Sequence, residues 1–298
     1  MLELSELTHV YPGGTRALDA VSLSIPVGVF GLLGPNGAGK STLMRCLATL
    51  QAPSSGRIRL DGIDALAEPD RIRRLLGYLP QDFGVYPRVH ALDLLEHLAV
   101  LKGIASRPER REAVEALLAR VGLWTERRTP LESLSGGMRR RFGVAQALLG
   151  APRLVVVDEP AAGLDPEERN RVLDLLAETG ERAVVLLSTH IVEDVADLCP
   201  RLAVLWRGRV RLQGAPEALA RALDGRIWRR VVDRAAVGPI AARHAVISTR
   251  LSGGRTLVHV LADRCPEAGF EAQPASLQDV YFATLAAARR DEPASAAQ

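Results

Sequence analysis

The chain has 298 residues, 47% of them hydrophobic and 24% charged, the make-up of a folded globular protein with room for one large domain or two smaller ones. Lys and Arg number 38 against 35 Asp and Glu, and no long basic block occurs, so nucleic acid is not an expected partner. Cys46, Cys199 and Cys265 are scattered without a CxxC pair, which argues against a disulfide framework or a zinc site. The start, MLELSELTHV, lacks the pattern of a signal peptide, and no apolar run approaches the roughly 18 residues of a membrane span, so the chain is expected not to cross a bilayer by itself.

LELSELTHVY and ALDAVSLSIP alternate apolar and polar residues, as half-buried strands do, and GVFGLL is a short apolar run suited to a buried strand. GPNGAGKSTLMRCLATL follows. Gly34, Gly37 and Gly39 free the backbone to turn its N–H groups inward at the start of a helix, which makes an anion nest. Lys40 can reach terminal phosphates and the Ser41 hydroxyl can ligate magnesium. A plain glycine-rich turn would need neither the Lys-Ser pair nor the strand before it and the helix after it. Cys46, in that helix, reads as a small core residue.

GYLPQDFGVYP reads as a strand running into a loop with Gln81 at its exit, and ALDLLEHLAVLKGI and PERREAVEALLARVGL show helical spacing. This helical block ends on LSGG, residues 134–137, which leads into the helix GGMRRRFGVAQALLG. Ser135, Gly136 and Gly137 therefore sit at a helix N-terminus, a ready anion site. LVVVDEP then supplies a β-branched strand from Leu154 to Val157 with Asp158 at its carboxyl end, where α/β sheets bind ligands. Asp158 is the expected magnesium carboxylate and Glu159 the group to polarise a water. AVVLLSTHI is another buried strand, Ala183 to Leu187, with His190 beyond its end; a lone histidine is more often structural, but this one follows a strand of the same kind.

LSGG recurs at residues 251–254, between the strand-like HAVISTRL and RTLVHVLAD, where it reads as a hairpin turn. From about Gly225, GRIWRRVVD and this hairpin suggest a small α+β appendage. Ser276 to Asp279 reads as a capping box opening a terminal helix through Leu285, and the end, RRDEPASAAQ, reads as disordered.

Taken in order, GPNGAGKST, Gln81, LSGGM, LVVVDEP, GLDP and His190 resemble the ATP-binding subunit of ABC transporters, over residues 1 to about 220. The resemblance implies an α/β P-loop NTPase core with an antiparallel β subdomain and an inserted α-helical subdomain at about 86–150. Together these form an ATPase domain at 1–220, followed by a small α+β unit at 225–289 and a tail at 290–298. It implies ATP and Mg2+ as cofactors. Tyr11 would stack adenine, and Gly34, Pro35, Asn36, Gly37, Ala38, Gly39, Lys40, Ser41 and Thr42 would hold the phosphates. Ser41, Gln81 and Asp158 would face magnesium, and Glu159, His190, Gln81 and Lys40 would serve hydrolysis. Ser135, Gly136 and Gly137 would meet the γ-phosphate of ATP held by a second subunit, with Asp165 of GLDP at the interface. The partners implied are that second subunit, identical or not, and a transmembrane permease whose cytoplasmic loops would dock on QDFGVYPRVHALDLLEHL, placing the chain at the cytoplasmic face of the membrane. Met138 stands where the family more often has glutamine and Ala161 where threonine is frequent; neither removes a phosphate ligand. LSGGMRRR, GYLPQDFGVYP and SLQDVYFATL look most like the bacterial exporter branch that moves drugs, lipids, glycans or peptides. The rival readings are a soluble ABC ATPase uncoupled from transport, which tends to carry coiled coils, zinc pairs or a second ATPase domain, and a regulator that binds ATP without hydrolysing it.

Overall fold

The computed structural model describes residues 1–291 apart from Asp82, Phe83 and Val85. Three sheets organise it. The first takes β1 (Leu2–Val10), β2 (Arg16–Ile25), β4 (Ser55–Leu60) and β5 (Ile63–Asp64) in the antiparallel order β2-β1-β4-β5. Its apolar positions, Leu2, Leu4 and Leu7 on β1 and Val21, Leu23 and Ile25 on β2, all turn inward, as the alternation in the sequence predicts.

The second sheet contains β3 (Gly28–Leu33), β6 (Leu76–Leu79), β7 (Leu154–Asp158), β8 (Val184–Ser188), β9 (Arg201–Trp206) and β10 (Arg209–Gly214) in the order β10-β9-β3-β8-β7-β6. All neighbours are parallel except β10, which closes one edge antiparallel to β9. Every residue of β7 and β8 is buried. Alternation explains their unbroken apolar runs: Leu154 and Val156 pack into the core shared with the first sheet and α1 (Lys40–Leu47), and Val155 and Val157 face the core on the opposite side. A strand covered on both faces has no polar side to show.

α2 (Pro69–Leu75) leads into β6. Between β6 and β7 stand α3 (Ala91–Leu101), α4 (Arg107–Arg120) and α5 (Gly136–Leu148), the helical block expected there. α5 lies against β6 and β7 and so ties this block to the sheet. α6 (Pro166–Gly180), α7 (Val192–Leu198) and α8 (Pro216–Arg221) complete this part of the chain.

The third sheet, β11 (Ile227–Val232), β12 (Val246–Ser252), β13 (Arg255–Leu261) and β14 (Glu271–Ala272), has the antiparallel order β12-β13-β11-β14. With α9 (Val237–Arg243) it encloses a small core of Val232, Ile240, Val258, Val260 and Phe270. The second LSGG is its hairpin turn: Ser252 pairs with Arg255, and Gly253 and Gly254 take φ of 56° and 79°, the positive pair that a two-residue turn between twisted strands requires.

The terminal helix is longer than its expected extent. α10 (Leu277–Arg290) carries the Ser276–Asp279 capping box, but it runs five residues beyond Leu285 and packs against both the small sheet and the large core. Leu277, Val280 and Leu285 join the large core with Val195, Leu202 and Val204, and Arg289 lies over Trp206 at 5.5 Å. The apolar face of α10 needs a larger surface than the small sheet offers. The other side of the helix stays tied to that sheet through Asp279, which accepts a hydrogen bond from His259 of β13 at 2.7 Å. Arg290, expected in a disordered tail, is helical; residues 292–298 lie outside the described residues.

Candidate functional site

The loop after β3 is built by backbone conformation. Gly39 has φ of 103°, and a Cβ there would stand 2.3 Å from the Ala17 carbonyl, so both the angle and the space demand glycine. Gly39 is also the N-cap of α1, and no side chain caps the first turn, which leaves its N–H groups directed at the loop interior. Lys40 folds over the loop, donating from Nζ to the Gly34 carbonyl at 2.5 Å and the Pro35 carbonyl at 3.1 Å. Burial pushes its ammonium below the usual lysine range, against the pull of the nearby Asp158 and Glu159 carboxylates.

The parallel sheet brings the acidic pair to this loop. Asp158 ends β7, and the Ser41 hydroxyl donates to its Oδ2 at 3.4 Å. Glu159 follows with φ of 52°, unusual for a residue with a side chain, and its N–H donates to the Ser188 carbonyl at the end of β8 at 2.8 Å. That anchor holds its peptide while the carboxylate reaches His190, whose Nδ1 lies 2.7 Å from Oε1.

A cavity of about 330 Å³ unites these groups: Tyr11, Asn36 to Thr42, Gln81, Asp158 and Glu159 all line it. Gly34 and Pro35 sit behind its wall through their carbonyls on Lys40. The Tyr11 hydroxyl hydrogen-bonds Thr42 Oγ1 at 3.0 Å, which fixes the ring in the cavity wall, and that bond holds the phenol below its usual pKa. Thr15, Arg16 and Ala17 also line the cavity, and no sequence signal singled them out.

The LSGG at 134–137 is not part of that cavity. Ser135 is the exposed N-cap of α5, its Oγ accepting from the Met138 N–H at 3.1 Å, with Gly136 opening the helix and Gly137 beside the Glu168 carboxylate. Asp165 is exposed and has a local duty, capping α6 by accepting from the Glu168 N–H at 2.8 Å. Of the three arginines after the motif only Arg139 is exposed. Arg141 pairs with Glu168 at 2.7 Å, and Arg140 turns inward to the strand ends, an arrangement that sequence reasoning missed.

A family model described as ABC transporter matches residues 18–162, a span holding the loop, Gln81, the LSGG helix and both carboxylates. The daunorubicin/doxorubicin resistance ATP-binding protein DrrA of Streptomyces peucetius is 39% identical over 76% of this chain and 69% of its own length. The methionine import ATP-binding protein MetN 3 of Pseudomonas fluorescens is 40% identical over 72% of this chain and 68% of its own. This chain belongs to the ABC transporter ATP-binding family. Among solved structures, a dimer of the ATP-binding cassette MJ0796 in a post-hydrolysis state with ADP and Pi superposes with a TM-score of 0.67. It is 28% identical and covers 72% of this chain and 98% of that one. The chain is thus an ATPase with the α/β P-loop fold, the ATP-binding subunit of an ABC transporter, a class that works with membrane permeases. No described helix is long and apolar enough to cross a membrane.

Proposed function

We propose that this subunit dimerises around two ATP molecules, hydrolyses them with Glu159 as general base, and drives a separate permease in the exporting direction. One observation carries the reading: the phosphate loop, the Asp158–Glu159 pair and Gln81 line a single cavity, and the exposed helix end at Ser135 stands apart from it. A second anion site with no nucleotide of its own suits a subunit that completes another's site. In the reaction, water attacks the γ-phosphorus in line, gives a proton to the Glu159 carboxylate, and ADP leaves as the β–γ bridging bond breaks. His190 holds that carboxylate through Nδ1, 2.7 Å from Oε1, and faces the γ-phosphate with the other edge of its ring. Lys40 neutralises phosphate charge, and Tyr11 stacks the adenine.

Magnesium fits the donors present. Ser41 Oγ and Asp158 Oδ2 are 3.4 Å apart, and among the described residues no group of three or more His, Cys, Asp or Glu forms a cage. Magnesium is ordinarily held by one or two protein oxygens together with substrate phosphates. Ser41, Asp158 and Gln81 would hold it, and when bound it neutralises charge on the transferring phosphoryl group.

Residues 1–220 serve as the ATPase domain and 225–289 as an accessory unit lashed to it by α10. The exporter direction is favoured by LSGGMRRR and by the likeness to a drug-resistance ATP-binding protein; the import protein of similar identity makes transport direction in inverted vesicles the deciding assay. The permease would dock near a groove of about 380 Å³ lined by Leu50, Tyr78, Leu98 and Leu101 together with Arg74 and Lys102. Leu50 and Leu101 are 66% and 65% exposed, apolar surface that calls for a cover. Asp82, Phe83 and Val85 of the expected docking stretch lie outside the described residues, but Tyr86 is exposed and Leu92 half-buried. Cysteines at Tyr86 and Leu101 should crosslink to the permease in intact membranes; crosslinks to soluble proteins alone would end the transporter reading. The purified chain forming an ATP-dependent dimer by itself would make the assembly a homodimer, and failure to do so without a second gene product would make it a heterodimer.

A further inference from the structure

Arg140 lies on the first turns of α5, five residues beyond Ser135, and is 7% exposed. Its guanidinium faces the ends of two neighbouring strands. Nε donates to the Glu159 carbonyl at 3.0 Å, Nη1 to the Pro80 and Gln81 carbonyls at 3.1 and 2.7 Å, and Nη2 to the Asp158 and Glu159 carbonyls. The need for it can be traced to the sheet. The β6–β7 ladder stops at the pair Leu79–Val157, because Pro80 has no N–H to continue it. The Pro80, Gln81, Asp158 and Glu159 carbonyls lie beyond that point, and the planar fork of the arginine satisfies all four at once.

The geometry has a consequence for Glu159. Its N–H is bound to Ser188 on one side and its carbonyl to Arg140 on the other, and between those anchors its φ of 52° is maintained. The same guanidinium holds the carbonyl of Gln81. We infer that Arg140 is a positioning residue for hydrolysis: it locks the peptides of Glu159 and Gln81 to the helix whose N-cap is Ser135, so that seating the partner's nucleotide at that helix end aligns the water-activating carboxylate of this subunit's own site. The helix is the rigid link, since one and a half turns separate its cap from the arginine. The inference rests on the proposed roles of Glu159 and Ser135 and adds what connects them.

The test is a double-mutant cycle with Arg140→Lys, which keeps the charge but loses the planar fork, and Glu159→Gln. Displacing a catalytic group by a fraction of an ångström to an ångström lowers turnover by about tenfold to a hundredfold. Arg140→Lys should show that fall in kcat with KM for ATP and binding of a fluorescent ATP analogue within about threefold of wild type. In the Glu159→Gln background the same substitution should slow residual hydrolysis by less than about threefold, because the group it positions has already lost its basicity. Chromatography with magnesium and ATP should show that the double variant still forms the dimer. An equal fall in both backgrounds would overturn the proposal, as would loss of ATP binding or of the dimer, either of which makes Arg140 a residue of the fold. The underlying reading fails separately, and visibly, if Glu159→Gln alone turns over at the wild-type rate.

Discussion

Asp279→Ala would cut the tie between α10 and the small sheet. The Asp279 carboxylate, 2% exposed, accepts three hydrogen bonds: from His259 Nδ1 at 2.7 Å, the Ser276 hydroxyl at 2.6 Å and the Ser276 N–H at 3.0 Å. The Ser276 N–H bond is the return half of the capping box and the Ser276 hydroxyl adds a side-chain bond beside it, together worth about 1 kcal/mol. The third goes to an imidazole that is itself 4% exposed and whose Nε2 has no partner among the described residues. Stranding that ring costs about 1.5–3 kcal/mol, so the whole effect should reach about 2.5–4 kcal/mol, overlapping the range for breaking a buried pair. The pH dependence follows in sign. Burial alone would raise the Asp279 pKa, and the bonds from His259 and Ser276 outweigh it, leaving the carboxyl below its ordinary 3.8. The stabilisation is therefore complete above the unfolded value and is lost as pH falls through the lower folded one. Urea unfolding followed by circular dichroism would measure the loss, and ATP turnover well below the transition should stay near wild type, since the site residues lie on other elements. A ΔΔG under about 1 kcal/mol would refute the reasoning.

Ser135→Arg places a bulky cation at the exposed cap of α5 and should abolish dimer-dependent ATPase activity while ATP still binds the monomer; Ser252→Arg, at a hairpin turn, should change neither, and equal losses would mean that the two LSGG copies have been misassigned. Gly39→Ala meets the Ala17 carbonyl at 2.3 Å with φ of 103°, so nucleotide binding in a fluorescence titration should fall by more than about tenfold; near-normal affinity would contradict the role of the loop backbone.

What the sequence revealed and what it concealed divide along local and non-local lines. The loop at Gly34 to Thr42, the buried strands ending at Asp158 and Ser188, and the Gly253–Gly254 hairpin are each dictated by neighbours in the chain: required φ, unbroken apolar runs, turn chemistry. Nothing local distinguishes Arg139, Arg140 and Arg141 from one another. Consecutive helix positions point about 100° apart, so a run of three must sample more than one face, and the carbonyls that draw Arg140 inward come from strand ends 59 and 19 residues away. The course of α10 was hidden for the same reason. Its capping box is a four-residue signal, but the surface that receives Leu277, Val280 and Leu285 is assembled from α7 and β9, far back in the chain.

Glu159→Gln tests the central claim most directly. It keeps the size of the side chain, removes its basicity and one negative charge beside the phosphates, and leaves Lys40 and the loop untouched. A positioned general base contributes about 10²–10⁴-fold, so phosphate release should slow by at least about a hundredfold, and size-exclusion chromatography with magnesium and ATP should show the variant accumulating as an ATP-bound dimer. Lys40→Ala should instead bind nucleotide weakly and remain monomeric. Wild-type turnover by Glu159→Gln, or a variant that holds ATP yet stays monomeric, would contradict the account.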